Sequence, residues 1–250
     1  MYIDTHCHLS REDYEDINLV INENRENGIE KIVVSACTYD TIVESLELAK
    51  LYDDVFLTIG FHPSEAKITG DRELYFLQKQ LQNNKVVGVG EIGLDYHYGK
   101  EDRDEQILLF EKQLQLAEKY HLPVVIHSRD ATMDTINTLK KYKVKGVIHC
   151  FSGSVETANI YISMGYLLGI GGVVTFKNSN LYKVVETVGL EHIVLETDSP
   201  YLTPEPFRGK RNSSKYIPLI AKKISEVLNT DVEEVAKVTT NNARNVFDLL

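Results

Sequence analysis

The chain has few cysteines and none in a metal-binding spacing. Cys7, Cys37 and Cys150 are odd in number and far apart, with no Cys-x-x-Cys pair. That excludes a disulfide framework and a thiolate zinc site, and leaves three reduced, packed thiols. Long apolar runs are also absent: no stretch of roughly 18 consecutive apolar residues occurs, so no membrane-spanning helix is expected. The first residues enter a strand-like segment without the basic region and apolar core of a secretory leader, and the expectation is a soluble, cytoplasmic protein. Positive charge is in deficit, with 27 basic against 37 acidic side chains and a net charge of −10. Broad electrostatic adhesion to nucleic acid or anionic membrane is thereby excluded, although a local basic patch is not. No Gly-x-Gly-x-x-Gly opens a helix after the first strand, which removes the main support for a dinucleotide-binding fold. Linkers, low-complexity segments and repeats of about 20–50 residues are missing too. One domain over residues 1–250 is expected, with no membrane association and no obligate protein partner in view.

What is present is a regular alternation. Short apolar or β-branched runs recur at 2–6 (YIDTH), 31–36 (KIVVSA), 55–62 (VFLTIGFH), 86–93 (VVGVGEIG), 123–127 (PVVIH), 146–150 (GVIHC), 166–172 (YLLGIGG) and 192–197 (HIVLET). Between them lie segments of helical spacing, clearest in EQILLFEKQLQLAEKY, where Ile107, Phe110, Leu114 and Ala117 share one side. Asp40 and Ser154 read as helix N-caps. Strands apolar on both faces that alternate with helices form a parallel sheet, and eight such units imply an α/β fold closed as a (β/α)8 TIM barrel. A final helical pair, residues 216–229 and 231–250, closes it.

Barrels of this kind build their chemistry at the C-terminal ends of the strands. Of eight histidines, His6 and His8 end the first strand, His62 the third, His127 the fifth and His149 the sixth. His121 and His192 fall at the opposite end, where surface or packing roles are expected, and His97 follows the fourth strand. Glu91 and Asp198 join the same rim. A buried acid at a strand end is costly unless paired, and neither has a Lys or Arg adjacent in sequence. His6, His8, Glu91, His127, His149 and Asp198 therefore read as nitrogen and oxygen ligands for two divalent ions, with one carboxylate long enough to bridge. Cys7 and Cys150 each neighbour a proposed ligand, so strand alternation turns them toward the helices as packing residues. Asp4 shares the face of His6, which it is expected to orient.

These residues resemble the TatD family of metal-dependent deoxyribonucleases, within the wider amidohydrolase-like barrels. The resemblance spans nearly the whole chain, through DTHCHL (4–9), GFHP (60–63), GEIGLDYH (90–97), HSRDA (127–131), HCFSG (149–153), ETDSPYL (196–202), RGKRN (208–212) and TTNNARNVF (239–247). It implies one metal held by His6, His8, Glu91 and Asp198, and a second held by the bridging Glu91 with His127 and His149. It also implies a second-layer or substrate-side role for His62, and Asp198 as general base with Glu91 as the alternative. The ions are Zn²⁺, Mn²⁺ or Mg²⁺, since imidazole with carboxylate suits the first two and nuclease chemistry often uses the third.

The implied reaction is hydrolysis of DNA phosphodiesters by a metal-activated water, as a 3′ to 5′ exonuclease acting on single strands or 3′ ends. Arg208, Lys210 and Arg211 would give an acidic protein one basic entrance, and Arg129 would grip a phosphate or else pair with Asp95 or Asp130. Tyr96, His97 and Tyr98 would stack a terminal base or pack their loop. After RGKRN the chain carries Ser213 and Ser214, where family members usually have an acidic residue and proline, so the family pattern does not carry over to the entrance there. The alternative activity is deacylation of D-aminoacyl-tRNA or hydrolysis of another ester or amide. A binding protein with a vestigial metal site is the reading from another class.

Overall fold

The computed structural model describes residues 1–249. Eight parallel strands pair in sequence order: β1 (Tyr2–Cys7), β2 (Ile29–Ala36), β3 (Val55–Ile59), β4 (Val86–Asp95), β5 (Val124–Arg129), β6 (Gly146–Ile148), β7 (Leu167–Ile170) and β8 (Ile193–Leu195). They form a nearly closed (β/α)8 barrel. β8 meets β1 through strand-end contacts: Thr197 and Asp198 donate backbone N–H groups to the His6 carbonyl at 3.3 and 3.0 Å, and Thr5 Oγ1 donates to the Leu195 carbonyl at 2.9 Å. The surrounding helices are α1 (Ile17–Glu26), α2 (Tyr39–Leu51), α3 (Asp71–Gln80), α4 (Arg103–Tyr120), α5 (Thr132–Leu139), α6 (Val155–Ser163), α7 (Leu181–Val188), α8 (Ile217–Leu228) and α9 (Val232–Phe247). Among the described residues no helix is long and apolar enough to cross a membrane.

Two apolar clusters hold this arrangement. The larger lies between strands and helices, and the smaller gathers one side chain from every strand: Ile3, Val33, Phe56, Val87, Val125, Val147, Leu167 and Val194. Phe247 and Leu249, at the end of α9, pack against this inner ring. Alternation with period two then decides what lies above it. Two residues beyond Val33, Phe56, Val125, Val147 and Val194 come Ser35, Thr58, His127, His149 and Glu196, polar side chains carried on the same inward face.

Several boundaries differ from the sequence reading. Thr38, not Asp40, caps α2: its hydroxyl accepts the Thr41 N–H, Thr41 returns the bond, and Asp40 falls in the first turn. Ser154 does cap α6, accepting from Thr157 N–H at 3.3 Å. β3, β6 and β8 stop at Ile59, Ile148 and Leu195, so His62, His149 and Asp198 stand on the first loop residues beyond the sheet.

On α4 the buried stripe is Gln106, Leu109, Phe110, Gln113, Leu114 and Ala117, while Ile107 is only half-buried. The two glutamines are two turns apart and clamp backbone. Gln113 accepts the Phe61 N–H at 2.7 Å and donates to the Phe61 carbonyl at 3.0 Å. Gln106 makes the same pair of bonds with Asp95, both at 2.9 Å. One helix thus fixes the ends of β3 and β4, which carry His62 and Glu91, by satisfying buried peptide groups that a strand end leaves unpaired.

Candidate active site

Glu91 is the hub. Its Oε1 lies 2.7 Å from His127 Nδ1 and 3.0 Å from His149 Nε2, while its Oε2 lies 3.5 Å from His6 Nε2 and 3.8 Å from His8 Nε2. Asp198 Oδ1 faces the second pair, 3.5 Å from both His6 Nε2 and His8 Nε2. The six residues singled out in the sequence therefore converge in overlapping clusters, and the two oxygens of Glu91 face different histidine pairs.

The set around Glu91 Oε2 has the spacing of a cation's coordination sphere. Two ligands each ~2.1 Å from one ion at a tetrahedral angle stand ~3.4 Å apart, close to the 3.5, 3.5, 3.5 and 3.8 Å found here. His6 Nε2, at the centre, is buried and makes no hydrogen bond, an arrangement that a cation would satisfy. The set around Oε1 is drawn to hydrogen-bond distance and would open by a few tenths of an ångström around an ion.

The electrostatics agree with this division. Burial by itself raises the Glu91 pKa, but the charge of His149 and hydrogen bonds from His127 and His149 hold it well below the ordinary carboxylate range. Burial likewise opposes ionisation of Asp198, which the facing imidazoles of His6 and His8, with the charge of His149, hold low. Conversely, the charge of Glu91 lifts His149 well above its ordinary value despite burial, and Asp95 and Glu91 lift His127. His6 is pushed down by burial and by His149. Without cations, protons on His127 and His149 supply the positive charge that Glu91 requires.

The imidazoles are oriented by neighbours that the sequence reading did not select. His8 Nδ1 lies 2.9 Å from the Ser35 carbonyl, which only accepts, so Nδ1 carries a proton and Nε2 is the ring atom turned to the carboxylates. Ser35 Oγ lies 3.0 Å from His6 Nδ1 and 2.7 Å from Thr58 Oγ1. Asp95 Oδ2 lies 3.0 Å from His127 Nε2, and Glu196 Oε1 lies 3.4 Å from His149 Nδ1. Period two was the signal that would have found Ser35 and Glu196, which stand two places beyond inward valines.

Other expectations need adjustment. Asp4 does not touch the His6 ring; its carboxylate accepts the His6 N–H at 3.2 Å, the Thr197 N–H at 3.0 Å and the Thr197 hydroxyl at 2.6 Å. It ties β1 to the chain beyond β8 and orients His6 through the backbone. Cys7 is buried as expected, but Cys150 lies beyond β6 with φ +46°, so strand alternation does not govern it. Tyr96 is buried with its hydroxyl donating to Asp134, and packs its loop; Tyr98 is 88% exposed. His97 pairs with Asp130, so Arg129 has neither expected carboxylate partner in contact and lies exposed, 5.8 Å from the Tyr98 ring centre. Arg208, Lys210 and Arg211 are exposed, and Arg208 lies over Phe176. Ser213 and Ser214 are buried and do not line the entrance. His62 caps the turn Pro63–Glu65: Ser64 N–H donates to its Nδ1 at 3.2 Å, leaving the proton on Nε2, 4.0 Å from Glu91 Oε1. Burial pushes its pKa down to about 4.

A parallel eight-stranded barrel with imidazoles and carboxylates packed at its C-terminal rim is the architecture of a metal-dependent hydrolase. Residues 3–248 match the family described as TatD-related DNases, and the chain belongs to that family. It is 40% identical over 252 residues to YabD of Bacillus subtilis, described as an uncharacterized metal-dependent hydrolase, with 99% of each chain covered. The crystal structure of the TatD homologue YjjV from Escherichia coli superimposes with a TM-score of 0.93 at 31% identity, covering 99% of this chain and 98% of that one. A TatD family hydrolase from Entamoeba histolytica gives a TM-score of 0.87 at 25% identity, with 98% and 97% covered.

Proposed function

We propose that the protein is a two-metal phosphodiesterase acting on DNA, removing nucleotides from 3′ ends of single strands. The observation that carries this reading is the division of Glu91, whose Oε1 faces His127 and His149 while Oε2 faces His6 and His8. His6, His8, Glu91 and Asp198 hold one divalent ion; Glu91, His127 and His149 hold the other. Bound there, the ions supply Lewis acidity, lowering the pKa of water and countering charge on phosphate oxygens. Zn²⁺ or Mn²⁺ suits these donors, and Mg²⁺ is the third candidate.

The protein's own groups complete the chemistry. Asp198 is ionised and accepts the proton of the attacking water, a role for which Glu91 is less free because both its oxygens face histidines. His62, neutral with its proton on Nε2, donates to a phosphate oxygen. Exposed Arg129, Arg208, Lys210 and Arg211 hold the strand through its phosphates. The unpaired thiols Cys7, Cys37 and Cys150 are consistent with a reducing, cytoplasmic setting.

The test is digestion of 5′- and 3′-labelled single strands, with D-aminoacyl-tRNA as a parallel substrate, in Mg²⁺, Mn²⁺ and Zn²⁺. Stepwise shortening of the 5′-labelled strand is expected. Faster deacylation than DNA hydrolysis would replace the nuclease reading, and inactivity on both would end it.

A further inference from the structure

Glu196 is a completely buried carboxylate standing behind the site. Its Oε1 accepts the Cys150 N–H and lies 3.4 Å from His149 Nδ1. Among the described residues its Oε2 has no hydrogen-bond partner, and neither has His149 Nδ1. A buried carboxyl oxygen without a hydrogen-bond donor is expensive in the wall of a barrel, yet the neighbouring strand is shaped to admit it. Gly169 on β7 points inward, and a Cβ there would lie 2.0 Å from Glu196 Oε2. Cys150 adopts a left-handed φ of +46° that non-glycine residues rarely take, and in that conformation its N–H meets the carboxylate. On the far side of the same imidazole, Nε2 lies 3.0 Å from Glu91 Oε1.

We infer that Glu196 is the positioning residue of the second cation site: it fixes the His149 proton on Nδ1 and presents the Nε2 lone pair to the ion shared with Glu91 and His127. The inference rests on the two-cation reading above. The physical reason is complementary polarisation. A cation on Nε2 makes Nδ1–H a stronger donor, and the carboxylate behind it makes Nε2 a stronger ligand. The 3.4 Å gap between Oε1 and Nδ1 closes to a hydrogen bond when the ring turns toward an ion, giving the orphaned Nδ1 a partner. Gly169 is then required for space, since a methyl there would displace the carboxylate.

Calorimetric titration of metal-free protein with Zn²⁺, together with ¹⁵N–¹H spectra of the zinc-loaded histidines, tests this. Wild type is expected to bind two ions, with zinc on Nε2 of His149 and a low-field Nδ1 proton. Glu196→Gln keeps the shape and an acceptor for the Cys150 N–H but removes the charge. It should retain the first ion and bind the second ~10–100-fold more weakly, with the His149 Nδ1 proton moved upfield. Gly169→Ala should weaken the second ion in the same way. If wild type binds fewer than two ions, the underlying two-cation reading fails. If it binds two while both variants match it within threefold and the Nδ1 proton does not move, Glu196 is only structural and the inference is overturned. Zinc on Nδ1 of His149 in wild type overturns it without recourse to either variant.

Discussion

Glu91→Gln is the most informative single change, because Gln preserves the volume of a side chain 4% exposed while removing the charge shared by both halves of the site. One unit charge 4 Å from another is worth about 4 kcal/mol at an effective permittivity of 20. A divalent ion at contact distance feels at least as much, so each ion should bind at least ~10³-fold more weakly. Melting curves give a direct reading. At a free-metal concentration 100 times the wild-type Kd, linkage stabilises the native protein by about 2.7 kcal/mol for each ion. For a chain of 250 residues that is a rise in Tm of roughly 5–11 °C per ion. The same concentration is then only a tenth of the variant's Kd, and its gain is under ~0.1 kcal/mol, too small to move the melt. Metal content after dialysis and hydrolysis of a labelled oligonucleotide should fall together. A Glu91→Gln protein that retains two ions within tenfold of wild-type affinity, or shows the full thermal gain, would refute the bridging argument.

Three further outcomes follow from named contacts. Ser35→Ala removes the hydroxyl between His6 Nδ1 and Thr58; denaturant unfolding of metal-free protein should show a loss of about 1–3 kcal/mol, and titration a ~10–100-fold weaker first ion. Gln113→Leu leaves both peptide groups of Phe61 unpaired and should lower stability by about 2–5 kcal/mol by the same unfolding measurement, with loss of activity as His62 shifts. His62 has a folded pKa of about 4 against 6.5: above pH 6.5 it is neutral in both states, and below it the unfolded chain takes up the proton first, so the native state loses stability as pH falls toward 4. The difference, 6.5 − 4 = 2.5 units, corresponds to about 3 kcal/mol at ~1.36 kcal/mol per unit. On going from pH 7 to 4 metal-free wild type should therefore lose up to that much more stability than His62→Asn, and parallel curves would contradict it.

Much of this protein is legible in its sequence. Eight apolar runs separated by helical spacing require a covered parallel sheet, and sorting His6, His8, His127, His149, Glu91 and Asp198 by strand end brings them to one rim, because a parallel barrel puts all its strand C-termini on one face. Period two also places Ser35 and Glu196, which lie two steps beyond Val33 and Val194 and so face inward. Tertiary structure alone decided the rest. Whether Thr38 or Asp40 caps α2 turned on which hydroxyl reaches an unpaired N–H. The Tyr96 hydroxyl found Asp134, a residue 38 positions away, so the ring packs its loop. The assignment of each Glu91 oxygen to its own histidine pair depends on distances of a few ångströms between β1, β4, β5 and β6. Those distances arise only when the sheet curves and β8 meets β1, a condition that belongs to the whole barrel and to no segment of the chain.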